Sequence, residues 1–157
     1  MAVSIDVRNE STRKGMHRRD VLERIAERVF AGEGVAGDIE LSVLFCDDPF
    51  IAGLNRRYRK KTGATDVLSF SQEEDAVAGG ARALGDIVIS LETVERFCDG
   101  DAAGMRDEVR LLFCHGLLHL LGNDHADAAG KKRMLELQAR YLGVDPGAAW
   151  HAEKRRC

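Results

Sequence analysis

The sequence is poor in aromatic residues, which make up 6% of the chain with a single tryptophan, too few to suggest a carbohydrate- or cap-binding surface. Its four cysteines, Cys46, Cys98, Cys114 and Cys157, form no CxxC pair. That spacing argues against a disulfide framework and a thiolate zinc site, leaving small buried hydrophobes plus one terminal thiol. No basic region followed by an apolar run appears at the N-terminus, and no later segment is long and apolar enough to span a membrane. Cytoplasmic residence with no membrane partner is the resulting expectation. The formal net charge of -3 does not describe a polycation drawn to nucleic acid from afar, and no DNA partner is expected. There is no internal repeat and no second-domain boundary. A chain of 157 residues fits one domain able to bury roughly two-thirds of its unfolded surface.

What the sequence does contain is clear periodicity. Val3, Ile5 and Val7 alternate with polar residues as in a strand with one buried face, and Val21, Leu22, Ile25, Ala26, Val29 and Phe30 recur at helical spacing within residues 16–31. Ile39–Cys46 alternates again as a second strand. Asp47-Asp48-Pro49 predicts a helix capped by Asp48, with Pro49 at its first position and an end in the basic run near Lys60. Val67–Phe70 and Gly85–Ser90 read as strands, separated by an aperiodic stretch, 72–83, expected to be an exposed loop or hairpin tip. Ser90 is placed to cap a helix over 91–98, and a strongly apolar helix follows over about 105–121. A last helix is capped by Asp127 and stopped by Gly143. His17 and His151 lack neighbouring partners and read as surface residues. The expected fold is α+β: a single domain over 1–143, a small, mostly four-stranded mixed sheet packed with about five helices, and a loosely held tail over 144–157.

Three of the five histidines fall within eleven residues, in His115-Gly-Leu-Leu-His119-Leu-Leu-Gly122-Asn-Asp-His125. On a helix His115 and His119 share a face one turn apart, and a left-handed Gly122 lets the chain fold back to offer His125 as a third nitrogen ligand. Three histidines leave an open fourth position, the arrangement of a catalytic zinc, one ion per chain, on a central buried helix. The spacing matches the long metalloprotease pattern His-Glu-x-x-His-x-x-Gly-x-x-His, except that Gly116 stands where that pattern has its glutamate base. A peptidase reading therefore loses its general base, while a zinc ion in a neutral ligand set can still act on an ester or phosphodiester. Imidazoles also accept nickel, cobalt or iron. Arg56, Arg57, Arg59, Lys60 and Lys61 place five cations in six residues; the run is either a solvated helix end or an RNA-binding surface, with backbone contacts that weaken in salt. No aromatic series on a strand suggests a stacking platform.

The histidine stretch resembles the signature of the YbeY family of bacterial endoribonucleases. Leu54-Asn-Arg-Arg-Tyr-Arg-Lys-Lys61 with Thr65-Asp-Val-Leu-Ser-Phe70, and Leu84-Gly-Asp-Ile-Val-Ile-Ser90, are similar to its other blocks. Asn123, Ala64 and Ser71 depart from the residues common there, tyrosine, proline and proline. The resemblance implies zinc ligands His115, His119 and His125, with Arg59 facing the metal cleft. It further implies a single-strand-preferring endoribonuclease acting in 16S ribosomal RNA 3'-end maturation and ribosome quality control. Ribosomal RNA, small-subunit proteins and an assembly GTPase would be its partners. Asp66 is a candidate for ordering the cleft loop or Arg59, and Asp124 for orienting an imidazole or contacting water; a plain turn or cap serves either equally well. Two other functions share these residues: a metal-dependent hydrolase of peptides or small esters, and a noncatalytic RNA-binding assembly factor that uses zinc for folding.

Overall fold

Alternating apolar residues fix which side of each strand is buried, and one sheet results. In the computed structural model, which describes residues 2–72, 81–124 and 126–146, the strands are β1 (Val3–Asn9), β2 (Ile39–Cys46), β3 (Val67–Ser71) and β4 (Arg82–Ser90). Their order is β1-β2-β4-β3, with β1, β2 and β4 mutually parallel and β3 antiparallel at the edge. The helices are α1 (Arg19–Gly32), α2 (Asp48–Leu54), α3 (Leu91–Phe97), α4 (Ala102–Leu120) and α5 (Ala128–Leu142), and α2 runs on into a π-helical segment, Asn55–Arg59.

The larger core lies on one face of the sheet. Ile5, Leu41, Val43, Phe45, Ile87 and Ile89 meet α1 and α4 there. Cys46, Leu68 and Val88 point to the other face, with Ile51 of α2 and partly buried Leu44, Leu54 and Phe70. Among the described residues this is the α+β domain with a four-stranded mixed sheet and five α-helices that the patterning predicts. Helix α4 is buried along most of its length, including Leu112, Phe113, Cys114, Leu117 and Leu118 at 0% exposure. It is the central helix of the fold.

Several local expectations are corrected. Strand β4 begins at Arg82, so the aperiodic stretch is shorter than 72–83: Arg82 N–H donates to Asp38 O and the strand pairs with β2 from Ile39 onward. Residues 73–80 of that stretch, His151 and most of the tail lie outside the described residues. Asp48 is the first residue of α2 and not its cap. Its carboxylate accepts from the Ser90 and Thr93 hydroxyls at 2.7 Å each and from Arg96, which lowers its pKa against the opposing effect of burial. Asp48 thus ties α2 to α3. His17 is also half-buried and not a free surface residue: its ring stacks on Phe45 at 4.5 Å between centroids, and burial followed by the nearby Arg19 lowers its pKa. Ser90, Asp127 and Gly143 act as predicted, the first two accepting from Thr93 N–H and Gly130 N–H, and Gly143 ending α5 in the left-handed conformation.

Candidate metal centre

The four-residue spacing on α4 brings His115 and His119 together edge to face. Their Nε2 atoms lie 3.0 Å apart, with the rings at 73° to one another. His115 is buried at 7% exposure, whereas His119, in the last turn, is half-buried. Helix α4 ends where Gly122 takes a φ of +96°, and the chain turns back with Gly122 N–H on His119 O and Asn123 N–H on Leu118 O. Asn123 reinforces the turn, donating to Leu118 O at 3.2 Å and accepting from Arg133 Nε at 3.2 Å. A side chain at 122 meets no atom within 4 Å, so conformation and not space favours glycine there.

A group that the sequence did not single out contacts this pair. Gln138 of α5 is fully buried, and its Oε1 lies 2.7 Å from His115 Nδ1. A carbonyl oxygen only accepts, so His115 carries its proton on Nδ1 and, in the neutral ring, presents a lone pair at Nε2. His119 Nε2 lies 3.0 Å from that lone pair, and an ion between the two nitrogens would be held by both. Zinc–nitrogen bonds of about 2.0–2.1 Å in a tetrahedron hold two nitrogens roughly 3.3 Å apart, close to the separation seen. The pair therefore fits a metal ion. The signal for Gln138 was present in the sequence: it shares the inward face of α5 with Met134 and Tyr141, where an apolar residue belongs.

Burial pushes the Cys114 thiol, adjacent to His115, up to about 12. Among the described residues no cluster of three or more His, Cys, Asp or Glu side chains is gathered for a metal; the expected third ligand, His125, lies outside them.

Gly116 follows from packing. A Cβ there would stand 3.0–3.1 Å from three side-chain atoms of Ile87 on β4. On the same stretch of helix, Ser69 Oγ of edge strand β3 reaches toward Gly116 O at 3.5 Å. Arg59, at the end of the π-helical segment, donates to Ser69 O at 2.6 Å, and its guanidinium lies 5.1 Å from the Phe70 ring centroid. Arg59 is thus tied to the strand that borders the histidine helix. Lys60, with a φ of +55°, closes the segment, and Arg56, Arg57, Lys60 and Lys61 are exposed around it.

Sequence comparison decides the family. Residues 5–144 match the Endoribonuclease YbeY family. The chain belongs to the endoribonuclease YbeY family. Relatives named Endoribonuclease YbeY include one from Synechococcus, 48% identical over 69% of this chain and 67% of that protein. Another, from Moorella thermoacetica, is 40% identical over 90% of this chain and 96% of that protein. A solution structure of a Thermotoga maritima protein superposes with a TM-score of 0.51 at 25% identity, covering 94% of this chain and 89% of that one.

In this member of the YbeY family the two aspartates singled out by sequence each accept a local backbone hydrogen bond. Asp66 is buried, and its Oδ1 accepts from Val67 N–H at 2.8 Å, shaping the entry to β3. Its backbone oxygen accepts from Ser90 N–H at 2.9 Å. Asp124 is exposed and accepts from Ala126 N–H at 3.3 Å, an Asx turn beside the histidine loop.

Proposed function

We propose that this chain is a zinc-dependent endoribonuclease with a preference for single-stranded RNA. It acts in the cytoplasm on ribosomal RNA, in 3'-end maturation of 16S RNA and in ribosome quality control, alongside small-subunit proteins and an assembly GTPase. The observation that carries the metal-dependent reading is the His115–His119 pair, with its facing nitrogens 3.0 Å apart and its tautomer set by Gln138. Membership of the endoribonuclease YbeY family carries the substrate class.

His115, His119 and His125 hold the ion, which when bound supplies a Lewis acid that polarises a phosphoryl oxygen and acidifies water. Gln138 keeps the His115 lone pair directed away from α5 and toward the site. Arg59 places a fixed positive charge at the β3 edge, where its planar donor fork suits phosphate oxygens as their charge grows. Gly116 offers no proton acceptor, which separates the site from that of a peptidase. Asp66 is the candidate for ordering the cleft loop or Arg59, and Asp124 for orienting an imidazole or contacting water.

Two substitutions separate these roles. Gln138→Met keeps length and volume but removes the acceptor, so zinc affinity measured by chelator competition should fall about 10- to 100-fold; unchanged affinity would show that Gln138 does nothing for the site. Arg59→Ala should lower RNA cleavage by roughly 10- to 100-fold, about 1.4–2.8 kcal/mol of transition-state stabilisation, with zinc stoichiometry intact. Undiminished cleavage by a pure preparation sinks its role. The reading as a whole is tested by assaying cleavage of a structured RNA with single-stranded ends, comparing the zinc-loaded chain with His119→Ala from the same purification. Cleavage of peptides or small esters without any RNA cleavage would favour the general hydrolase instead.

A further inference from the structure

The sheet face opposite α1 and α4 is only partly covered. Beside α2 and the π-helical segment it leaves a groove of about 450 Å³, within the range of roughly 300–1,000 Å³ typical of ligand sites. The fold gathers there what the sequence scatters. Phe50 and Tyr58, 46% and 55% exposed, form the helical wall, and Phe70 of β3 stands beside them, its ring 5.4 Å from that of Tyr58 in an edge-to-face arrangement. The absence of an aromatic series on any one strand therefore did not preclude an aromatic surface. Arg57 lies 5.9 Å from the Tyr58 ring centroid and Arg59 5.1 Å from that of Phe70, so cations border the aromatic cluster.

We propose that this groove is a base-stacking subsite for single-stranded RNA, with nucleobases seated against Tyr58 and Phe50 and the phosphates running over the basic π-helical segment. The proposal rests on the RNA substrate argued above. Charge sets the orientation. The groove wall carries two carboxylates, Asp6 and Asp86, against one cation, Arg8, with Asp86 accepting from Ser42 Oγ and from Gln72 Nε2. Carboxylates repel phosphate but accept hydrogen bonds from the amino groups of bases. The five cations over 56–61 lie on the segment that continues the aromatic wall. An inward base and an outward phosphate satisfy both, and Arg59, bonded to the β3 edge, connects this groove to the side of the sheet that carries the histidines.

The test is equilibrium binding of the full-length chain to a single-stranded oligoribonucleotide containing 2-aminopurine and to an abasic ribose-phosphate strand of the same length, with a Lys/Arg-rich peptide as a third titrant. The base-bearing strand should bind tighter than the abasic one, with a change in 2-aminopurine fluorescence. Tyr58→Ala and Phe50→Ala should each weaken base-bearing binding about 5- to 100-fold and leave abasic binding unchanged, whereas Tyr58→Phe retains wild-type affinity. Equal affinity for the two strands overturns the subsite while leaving the RNA reading intact. Failure to bind either strand overturns both. Saturable peptide binding that Tyr58→Ala abolishes, with RNA binding unaltered, assigns the groove to a basic protein segment and also overturns the proposal.

Discussion

His119→Ala should leave a folded protein that no longer holds zinc tightly and no longer cleaves RNA. The side chain lies half-buried in the last turn of α4, and alanine is the best helix former, so truncation there costs the fold little. Its effect on the site is of a different size. Removing one of the facing nitrogens leaves His115 with its lone pair aimed at an incomplete ligand set, and zinc affinity should fall more than the roughly 10- to 100-fold typical of losing a residue that only supports a ligand. A bound ion contributes several kcal/mol of charge stabilisation to phosphoryl transfer. Cleavage should therefore drop by at least about two to three powers of ten, to the background of the assay. Zinc content after gel filtration, thermal unfolding and RNA cleavage on one preparation check the three parts together. A variant that retains wild-type zinc affinity would remove His119 from the ligand set.

Gly116→Glu should fail as a conversion to a peptidase and should instead destabilise the helix–sheet packing. The substitution completes the metalloprotease pattern in sequence, yet the first added carbon already stands 3.0–3.1 Å from Ile87, and a carboxylate would follow it into the buried interface between α4 and β4. Overpacking costs about 1–3 kcal/mol, and a buried, poorly paired carboxylate adds a penalty of similar size or neutralises. A loss of about 3 kcal/mol or more corresponds to a fall in Tm of about 10 °C for a chain of this length. Thermal unfolding by circular dichroism reads it directly. A Tm within two or three degrees of wild type, by rough allowance for the same scaling, would show that the interface adjusts and that Gly116 is not a packing requirement.

Local chemistry made most of the elements legible. Alternation identified β2, the apolar circumference identified α4 as central, and Ser90, Asp127 and Gly143 marked helix ends that the fold uses as such. These signals act within a few residues of one another. The features that escaped are those made by distant segments. The strand order β1-β2-β4-β3 depends on pairings that no local pattern encodes. Asp48 looked like a cap because it precedes Pro49, but Ser90, Thr93 and Arg96 arrive from more than forty positions away and claim its carboxylate. His17 looked solitary because Phe45 is remote in sequence. At the candidate site the histidine spacing was visible at once, whereas Gln138, 23 residues beyond His115, had only its polar character on an apolar helix face to mark it. Gly116 was legible as a missing base; its close approach to Ile87 arises only in the tertiary structure.

The central claim is that this chain cuts RNA through a metal held by the histidine pair. It is tested most directly by following cleavage of one single-stranded-ended RNA by the same preparation as purified, after chelation and dialysis, and after return of zinc, beside His119→Ala treated identically. Cleavage should disappear on chelation, return with zinc in the wild type, and stay absent in the variant. Equal cleavage by wild type and His119→Ala, insensitive to chelation, would contradict the account.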